Sequence, residues 1–256
     1  MKAFFRFYGP LNDFLPDEQQ QQYFSHTFTE NASIKDMIES LGIPHPEIDV
    51  VLVHGDSVDF HYLVQDQDQI TVYPPMKELV NPNFIHLHPG IPDPLKFVLD
   101  VHLGKLAHYL RMLGFDAWYA NNAEDKALAE ISQQEKRILL TRDTLLLKRN
   151  AVVYGYYVRS TDPMEQMREM WDQFSLEPLI QPFTRCMLCN GQLAKVPKEK
   201  IIQRLPEKVK ANFEEFYLCT QCDHLYWPGT HYENMKKHIA QWAEHSTEAS
   251  EWIEMI

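Results

Sequence analysis

The chain has 256 residues, of which 45% are hydrophobic and 23% charged, as in globular proteins with one large domain or two to three small ones. It has no run of 18 or more apolar residues, which excludes a transmembrane helix. The formal net charge of −12 argues against a nucleic-acid-binding protein, but the charge is unevenly distributed. Residues 1–93 hold 14 Asp and Glu against 4 Lys and Arg, whereas residues 94–180 hold 12 against 11 and residues 181–231 hold 5 against 7. The later part of the chain therefore permits RNA binding.

The N-terminal 80 residues are predicted to form a small mixed domain. Residues 2–8 alternate in polarity, which favours a strand over the core of a signal peptide. Further strands are predicted at residues 23–28, 50–54 and 68–74, and a helix at residues 34–41, capped by Asn31 or Ser33. The order β-β-α-β-β predicts a ubiquitin-like β-grasp domain over residues 1–80.

The middle of the chain has a different pattern. Residues 81–94 contain four prolines and little periodicity, which predicts a linker. From residue 95 to 180 short apolar runs alternate with helical patterns, which predicts an α/β domain with a parallel sheet. The predicted strands lie at 95–100, 117–119, 137–141 and 152–158, and the predicted helices at 103–113, 125–134 and 163–174.

All four cysteines lie in two Cys-x-x-Cys pairs, Cys186 with Cys189 and Cys219 with Cys222. We expect a cytoplasmic protein, and in a reducing compartment this spacing indicates a structural Cys₄ zinc site rather than disulfides. The sequence therefore predicts a zinc ribbon over residues 181–235, with His224 as a weak substitute ligand, followed by a helix and tail over residues 236–256. A redox pair is the alternative, but it needs a single Cys-x-x-Cys in a thioredoxin context.

Carboxylates follow several predicted strands of the α/β domain. Asp100 and Asp143 each come directly after a strand, and Asp125 begins the helix after the second strand. Ligand sites of open α/β sheets form at the carboxyl ends of strands, so we expect three such acids to converge there and to favour Mg²⁺ or Mn²⁺. The alternative for each acid is a helix cap or a turn residue.

Two stretches of the α/β domain resemble the signature of one family. Residues 97–116 read FVLDVHLGKLAHYLRMLGFD and residues 137–143 read RILLTRD. They resemble the PIN-like RNase domain first described at the C-terminus of the Mut-seven exonuclease, in which a zinc ribbon follows these motifs. The N-terminal part resembles the ubiquitin-like domain that often precedes it, and the resemblance covers residues 1–235.

The resemblance implies a function for particular residues. Asp100, Asp125 and Asp143 match the catalytic acids of the PIN type. Glu124 competes with Asp125, and Asp162 is a fourth candidate that equally begins a helix. Lys105, Arg111 and Arg142 match basic positions and are interpreted as RNA phosphate or carboxylate partners. The alternative for Arg111 is an ion pair that holds the first helix to the sheet, and His108 stands where the family usually has arginine.

These observations predict a ribonuclease that uses Mg²⁺ or Mn²⁺ to cleave phosphodiester bonds. The alternative is a non-catalytic RNA- or protein-binding adaptor that keeps the fold. Lysines and aromatic residues interleave near the ribbon and are interpreted either as a surface for single-stranded RNA or as a solvated helix beside the ribbon core. The ubiquitin-like part lacks the Gly-Gly tail of sulfur carriers, so we expect it to contact RNA or a protein partner.

Overall fold

A computed structural model of the chain describes residues 1–30, 32–76 and 81–243. The chain forms two compact units: residues 1–94 with residues 123–157, and residues 95–122 with the chain from residue 158 onward. Asn31, the alternative cap of the first helix, and the tail beyond residue 243 lie outside the described residues. Within this described part, no helix combines the length and the apolar character needed to cross a bilayer.

The N-terminal part of the first unit is a five-stranded mixed sheet with an accompanying helix. Its elements are β1 (Lys2–Phe7), β2 (Phe24–Thr27), α1 (Ile34–Ser40), β3 (Val50–Val53), β4 (Asp56–Val58) and β5 (Gln69–Tyr73). The strand order is β2-β1-β5-β3-β4, and only the β1–β5 pair is parallel. The predicted ubiquitin-like fold is confirmed, with β4 as an additional short strand.

Alternation along β1 decides which face of this sheet is buried. Ala3, Phe5 and Phe7 are at most 1% exposed and pack in one cluster with Ile34 and Ile38 of α1. Helix α1 begins after Ser33, whose hydroxyl oxygen accepts a hydrogen bond from the Asp36 amide at 3.1 Å, as an N-cap residue should. Apolar residues recur at every second position in β1 and about every 3.6 positions in α1, and these two apolar faces together form one core.

The middle of the chain alternates strands and helices as predicted. Its elements are β6 (Lys96–Leu99), α2 (Gly104–Met112), β7 (Asp116–Trp118), α3 (Asp125–Glu135), β8 (Ile138–Thr141), α4 (Thr144–Leu147), β9 (Gly155–Tyr157) and α5 (Pro163–Phe174). In the second unit β6 runs parallel to β7, and in the first unit β8 runs parallel to β9. The residues of β6 and β8 are largely buried, as in parallel sheets covered on both faces, and the predicted α/β class is confirmed.

Polar contacts in the first unit join the N-terminal part to residues 148–157. The Glu47 carboxylate, 6% exposed, accepts a hydrogen bond from the Tyr157 amide at 2.7 Å. The His45 ring lies 2.7 Å from the Glu39 carboxylate and 2.9 Å from the Val152 carbonyl oxygen. Lys148 donates to the Glu39 carbonyl oxygen at 2.6 Å. The ubiquitin-like sheet is therefore packed against the chain that contains β9.

The C-terminal part of the second unit is a small antiparallel ribbon with helices. Its elements are β10 (Leu193–Lys195), α6 (Lys198–Ile201), α7 (Glu207–Asn212), β11 (Tyr217–Cys219), β12 (Leu225–Tyr226) and α8 (Thr230–Ala243). The strand order is β10-β11-β12. Helix α8 begins earlier than the predicted start of the C-terminal helix, and the short helices α6 and α7 were not predicted.

Gly114 follows α2 in a backbone conformation that residues with side chains rarely adopt. Its φ is +96°, and a Cβ there would overlap the Gln181 carbonyl oxygen and come within 2.7 Å of the Thr184 hydroxyl. We expect Gly114→Ala to lower the free energy of unfolding by at least about 3 kcal/mol, since it adds a steric clash to the backbone strain. Gly55 has a φ of +95° but open space at its Cβ position, so Gly55→Ala should cost only about 1 kcal/mol. Equal losses in chemical denaturation would contradict this explanation.

Candidate metal centre and acidic residues

The four cysteines come together at one end of the ribbon. Their sulfur atoms all lie within 4.8 Å of one another, and no other such group of His, Cys, Asp or Glu was found among the described residues. Cys186 Sγ lies 3.6 Å from Cys222 Sγ, and Cys189 Sγ lies 3.4 Å from Cys219 Sγ. All four cysteines are free, and the prediction that the two pairs come together in one site is confirmed.

Each Cys-x-x-Cys pair is followed by a residue with left-handed backbone. Asn190 has a φ of +67° and Asp223 a φ of +61°, which are residue types that adopt this conformation most readily. Backbone amides of both cysteine loops approach the sulfur atoms. Gly191 N lies 3.4 Å from Cys189 Sγ, and Cys222 N lies 3.4 Å from Cys219 Sγ. These amides stabilise thiolates over neutral thiols.

The donor set fits a tetrahedral metal ion such as Zn²⁺. Zinc–sulfur bonds of about 2.3 Å imply sulfur–sulfur separations of about 3.8 Å, close to those observed. Desolvation opposes ionisation of Cys219, but amide hydrogen bonds from Cys222 and Gln221 lower the pKa of this thiol to about 7. Desolvation and the neighbouring thiols raise the pKa of Cys222 to about 12. One thiolate therefore forms readily, and a cation is needed to hold the other sulfurs deprotonated.

Arg111 is buried between α2 and the first cysteine pair. Its Nε donates to the Ala117 carbonyl oxygen at 2.8 Å, and one terminal nitrogen donates to the carbonyl oxygens of Met187 and Leu188 at 3.2 and 3.0 Å. Burial lowers the pKa of Arg111, whereas the thiols of Cys186 and Cys189 raise it. The guanidinium is therefore a positive charge beside the sulfur cluster.

Removing this guanidinium should destabilise the second unit. Arg111→Met leaves three carbonyl oxygens without their donor, and we expect a loss of roughly 3–5 kcal/mol in the free energy of unfolding. Arg168→Met is the matched control, because Arg168 forms an exposed pair with Glu165 and should contribute under about 1 kcal/mol. Chemical denaturation of the two variants measures the difference, and similar losses would contradict the structural role of Arg111.

The acidic candidates of the second unit differ in exposure. Asp100 directly follows β6 and is 6% exposed. Asp162 is exposed and caps α5, where its carboxylate accepts hydrogen bonds from the amides of Met164 and Glu165 at 2.9 and 3.2 Å. Asp162 thus forms the helix start that the sequence offered as its alternative.

The acidic candidates of the first unit lie at the starts of two helices. Asp143 precedes α4, and its Oδ1 accepts hydrogen bonds from Leu145 N at 2.7 Å and Leu146 N at 3.4 Å. Asp125 begins α3 and lies 3.7 Å from the guanidinium of Arg149, with both side chains about half exposed. Glu124 precedes Asp125 as the N-cap residue but makes no side-chain cap hydrogen bond.

Comparison with known protein families shows which family this chain belongs to. Residues 95–239, more than half of the chain, match the family model described as the Mut7-C RNAse domain. The chain belongs to the Mut7-C RNase domain family. Residues 1–80 match the model described as Mut7-C ubiquitin, so the arrangement predicted from the sequence is confirmed.

One solved structure is also similar to the ubiquitin-like part. The crystal structure of SAMP1 from Haloferax volcanii is 13% identical, with alignment over 30% of this chain and 98% of its own and a TM-score of 0.25. A search of curated proteins found no match.

The basic residues predicted to contact RNA occupy different environments in the Mut7-C chain. Lys105 is exposed on α2, whereas Arg111 is 5% exposed and donates to backbone carbonyls. Arg142 lies with its guanidinium carbon 6.0 Å from the centre of the Tyr157 ring. Near the ribbon, Lys195 and Lys198 pair with glutamates at 2.7 and 2.6 Å, so part of the positive charge there is balanced.

Sequence reasoning missed the residues that join the Mut7-C core to its ribbon. Asn190 donates to the Asp116 carboxylate at 2.7 Å and accepts from the Ala117 amide at 3.0 Å, and Arg185 lies 3.3 Å from the same carboxylate. Asp116 lies within residues 97–116, the stretch that resembles the family signature. Its place in that signature was the sequence signal that could have pointed to a role for it. From the sequence, Arg111 was interpreted either as an RNA phosphate partner or as an ion pair that holds the first helix to the sheet. Neither interpretation predicted its contact with the cysteine loop.

Proposed function

We propose that this protein is a ribonuclease whose hydrolysis of RNA depends on a divalent metal ion. The observation that carries the proposal is the match of residues 95–239 to the Mut7-C RNAse domain model. Asp100, Asp125 and Asp143 are the proposed ligands of Mg²⁺ or Mn²⁺, ions that prefer carboxylate oxygens. Glu124 stays the alternative to Asp125, and Asp162 a fourth candidate.

The local structure supports a double role for Asp143. Its Oδ1 accepts the cap hydrogen bonds of α4, and the structure describes no partner for Oδ2. The cap fixes the carboxylate rotamer, which orients Oδ2 for a ligand at no further entropic cost. Asp100 supports the proposal through its position directly after β6, because ligand sites of α/β sheets form at the carboxyl ends of strands.

The remaining residues have distinct roles in the proposed reaction. When bound, a divalent ion lowers the pKa of a water molecule and neutralises charge on the phosphate. Lys105 and Arg142 are proposed to bind phosphate oxygens, and Tyr157 orients the Arg142 guanidinium. Arg111 is a positioning residue, because its donors already hold the first cysteine pair.

The four cysteines are proposed to bind one Zn²⁺ with a structural role. Four sulfur ligands complete a tetrahedral shell and leave no open position for substrate. The ribbon core around them is small, with Cys186, Cys219 and Tyr226 as its buried members, so the metal supplies stability that the core lacks. Four reduced thiols also suit a cytoplasmic location.

A non-catalytic adaptor is the second candidate function. The observation that favours it is the structural use of several candidate groups: Asp125 pairs with Arg149, and Asp162 caps α5. In this alternative the ubiquitin-like part contacts a protein partner and the Mut7-C part binds RNA without cleaving it.

Cleavage of total cellular RNA by the zinc-loaded wild-type protein distinguishes the two candidates. We expect cleavage with Mn²⁺ or Mg²⁺, none after passage through a chelating resin, and recovery when Mn²⁺ is added back. The zinc content must stay at one ion per chain throughout, so that loss of activity is not loss of fold. RNA binding without cleavage under any of these metal conditions would favour the adaptor instead.

A further inference from the structure

A cavity in the second unit is lined by none of the proposed catalytic acids. Its volume is about 720 Å³, which falls within the roughly 300–1,000 Å³ of small-molecule pockets. Its walls come from α2, from the loops of both cysteine pairs, and from the N-terminal half of α8. All of its lining residues fall within the region that matches the Mut7-C RNAse domain.

The walls of this cavity are rich in aromatic rings. Tyr109, Phe183, Tyr226, Trp227 and Tyr232 all line it. The rings of Phe183 and Tyr232 are tilted by 42° with centroids 4.5 Å apart, so they form one continuous surface. Flat rings of this kind favour a planar aromatic ligand, because π-faces stack on one another.

The Trp227 ring is held in place by a small neighbour. A Cβ on Gly229 would lie 2.9 Å from the indole Nε1 and 3.1 Å from Cδ1, so glycine allows this close approach. Trp227 also packs against the cluster of Ile201, Leu205 and Phe216. The indole is therefore fixed before any ligand arrives, which lowers the entropic cost of stacking on it.

Among the described residues, the lining of the cavity contains neither acidic residues nor lysine or arginine. Its described lining includes no Asp or Glu, although the chain has 36 of them, and it includes three histidines. Lys236 places its Nζ 4.7 Å from the centre of the Tyr232 ring at the edge of this wall. His238, another lining residue, has a buried Nδ1 with no hydrogen-bond partner among the described residues. Asn234 and the histidines of the lining carry side-chain groups that can donate to or accept from the edge of a heterocycle.

We propose that this cavity binds an unpaired nucleobase of single-stranded RNA by stacking on Tyr232 and Trp227. The proposal rests on the proposed function, since it takes RNA as the substrate. The cavity holds a base while Lys236 lies near the attached phosphate. Aromatic stacking tolerates every base, so the site anchors the strand without reading a sequence.

Binding can be tested without cleavage in the Asp143→Asn background. The probe is a fluorescein-labelled single-stranded RNA of 12 nucleotides, and fluorescence anisotropy gives Kd. We expect Tyr232→Ala to raise Kd by about 5- to 150-fold, the range for loss of one stacked base, and Tyr232→Phe to keep Kd at the parent value. Leu179→Ala is the control, because Leu179 is an exposed residue of the same RNase region that does not line the cavity.

A second variant guards against misfolding of Tyr232→Ala. Leu188 lines the cavity and is 61% exposed, so Leu188→Glu adds a carboxylate there without emptying the core. It should weaken RNA binding at low salt, whereas Leu179→Glu, at a leucine that is 48% exposed elsewhere, should not. An RNA of the same length with abasic residues should bind the parent protein as weakly as normal RNA binds Tyr232→Ala.

The outcomes separate this proposal from the proposed function. If the wild-type protein cleaves RNA while Tyr232→Ala and Leu188→Glu bind as tightly as their parent, the cavity proposal is wrong and the ribonuclease stands. If the wild-type protein never cleaves but these variants lose affinity, the cavity binds RNA and the ribonuclease fails. Equal binding of abasic RNA, or binding of free mononucleotides without binding of RNA, would overturn the cavity proposal.

Discussion

Cys219→Ser should abolish zinc binding and unfold the ribbon. Structural zinc sites of small domains contribute about 10–16 kcal/mol of apparent binding free energy, more than the buried cluster of Cys186, Cys219 and Tyr226 can replace. Cys219 is also the sulfur that accepts amide hydrogen bonds from both Gln221 and Cys222, so its loss removes the best-stabilised thiolate. Metal analysis should find one zinc per wild-type chain. Because the apparent binding free energy is so large, losing one ligand should leave less than about a tenth of that zinc content in the variant.

The matched control for this variant lies in the same loop. Thr220 is exposed and donates its hydroxyl to the Gln192 carbonyl oxygen, so Thr220→Ala loses a side-chain hydrogen bond but no sulfur. It should keep one zinc per chain and a melting temperature close to that of the wild type. Full zinc content in Cys219→Ser, or an equal loss in Thr220→Ala, would show that the four sulfurs do not form the site.

Asp143→Asn should lower the rate of metal-dependent RNA cleavage by at least about 100-fold, the scale on which single electrostatic groups act in catalysis. Asparagine keeps an acceptor oxygen for the amides of Leu145 and Leu146, and Asn caps a helix about as well as Asp. The substitution therefore removes the negative charge and leaves α4 capped. Cleavage rates measured at saturating Mn²⁺ separate lost metal affinity from lost catalysis.

The control for charge removal is Asp172→Asn. Asp172 is an exposed residue on α5 of the same RNase region, outside the proposed site. It should retain the wild-type rate within about twofold, as surface substitutions usually do. A wild-type rate in Asp143→Asn would remove this residue from the proposed site, and an equal loss in Asp172→Asn would point to non-specific electrostatics.

Periodicity predicted most of the fold because it reports burial directly. The alternation in β1 and the apolar positions of α1 identified one core from sequence. The helix predicted over residues 163–174 begins where Pro163 follows the cap residue Asp162, a position at which proline suits the first turn. The strand β4 was not predicted because three residues are too few to show an alternating pattern. Helices α6 and α7 were not predicted because they contain few apolar residues, so no helical periodicity is visible.

The features that could not be predicted from the sequence are single polar contacts between elements distant in the chain. Glu47 accepts the Tyr157 amide, and His45 bridges Glu39 and Val152, yet neither residue belongs to a motif. Such contacts depend on which elements meet in space, which no local pattern encodes. The four cysteines are the opposite case, since their spacing alone defined both the partners and the chemistry.

The acidic residues could be predicted only in part. Their positions after strands and helix starts could be predicted, and the structure gives Asp143 and Asp162 the cap hydrogen bonds that were the alternative explanation. A cap and a metal ligand use different oxygens of one carboxylate, so the two explanations are compatible for Asp143. Sequence patterns cannot separate them, because both favour aspartate before a helix.

The most direct test of the proposed active site is to count Mn²⁺ ions on the protein while its zinc content stays constant. Electron paramagnetic resonance of free Mn²⁺ measures this in titrations of the wild type and of Asp100→Asn/Asp143→Asn. We predict at least one bound Mn²⁺ per wild-type chain and none in the double variant at the same concentrations, with one zinc in each. Absence of Mn²⁺ binding by the wild type, or equal binding by the double variant, would contradict a metal-dependent ribonuclease built on these acids.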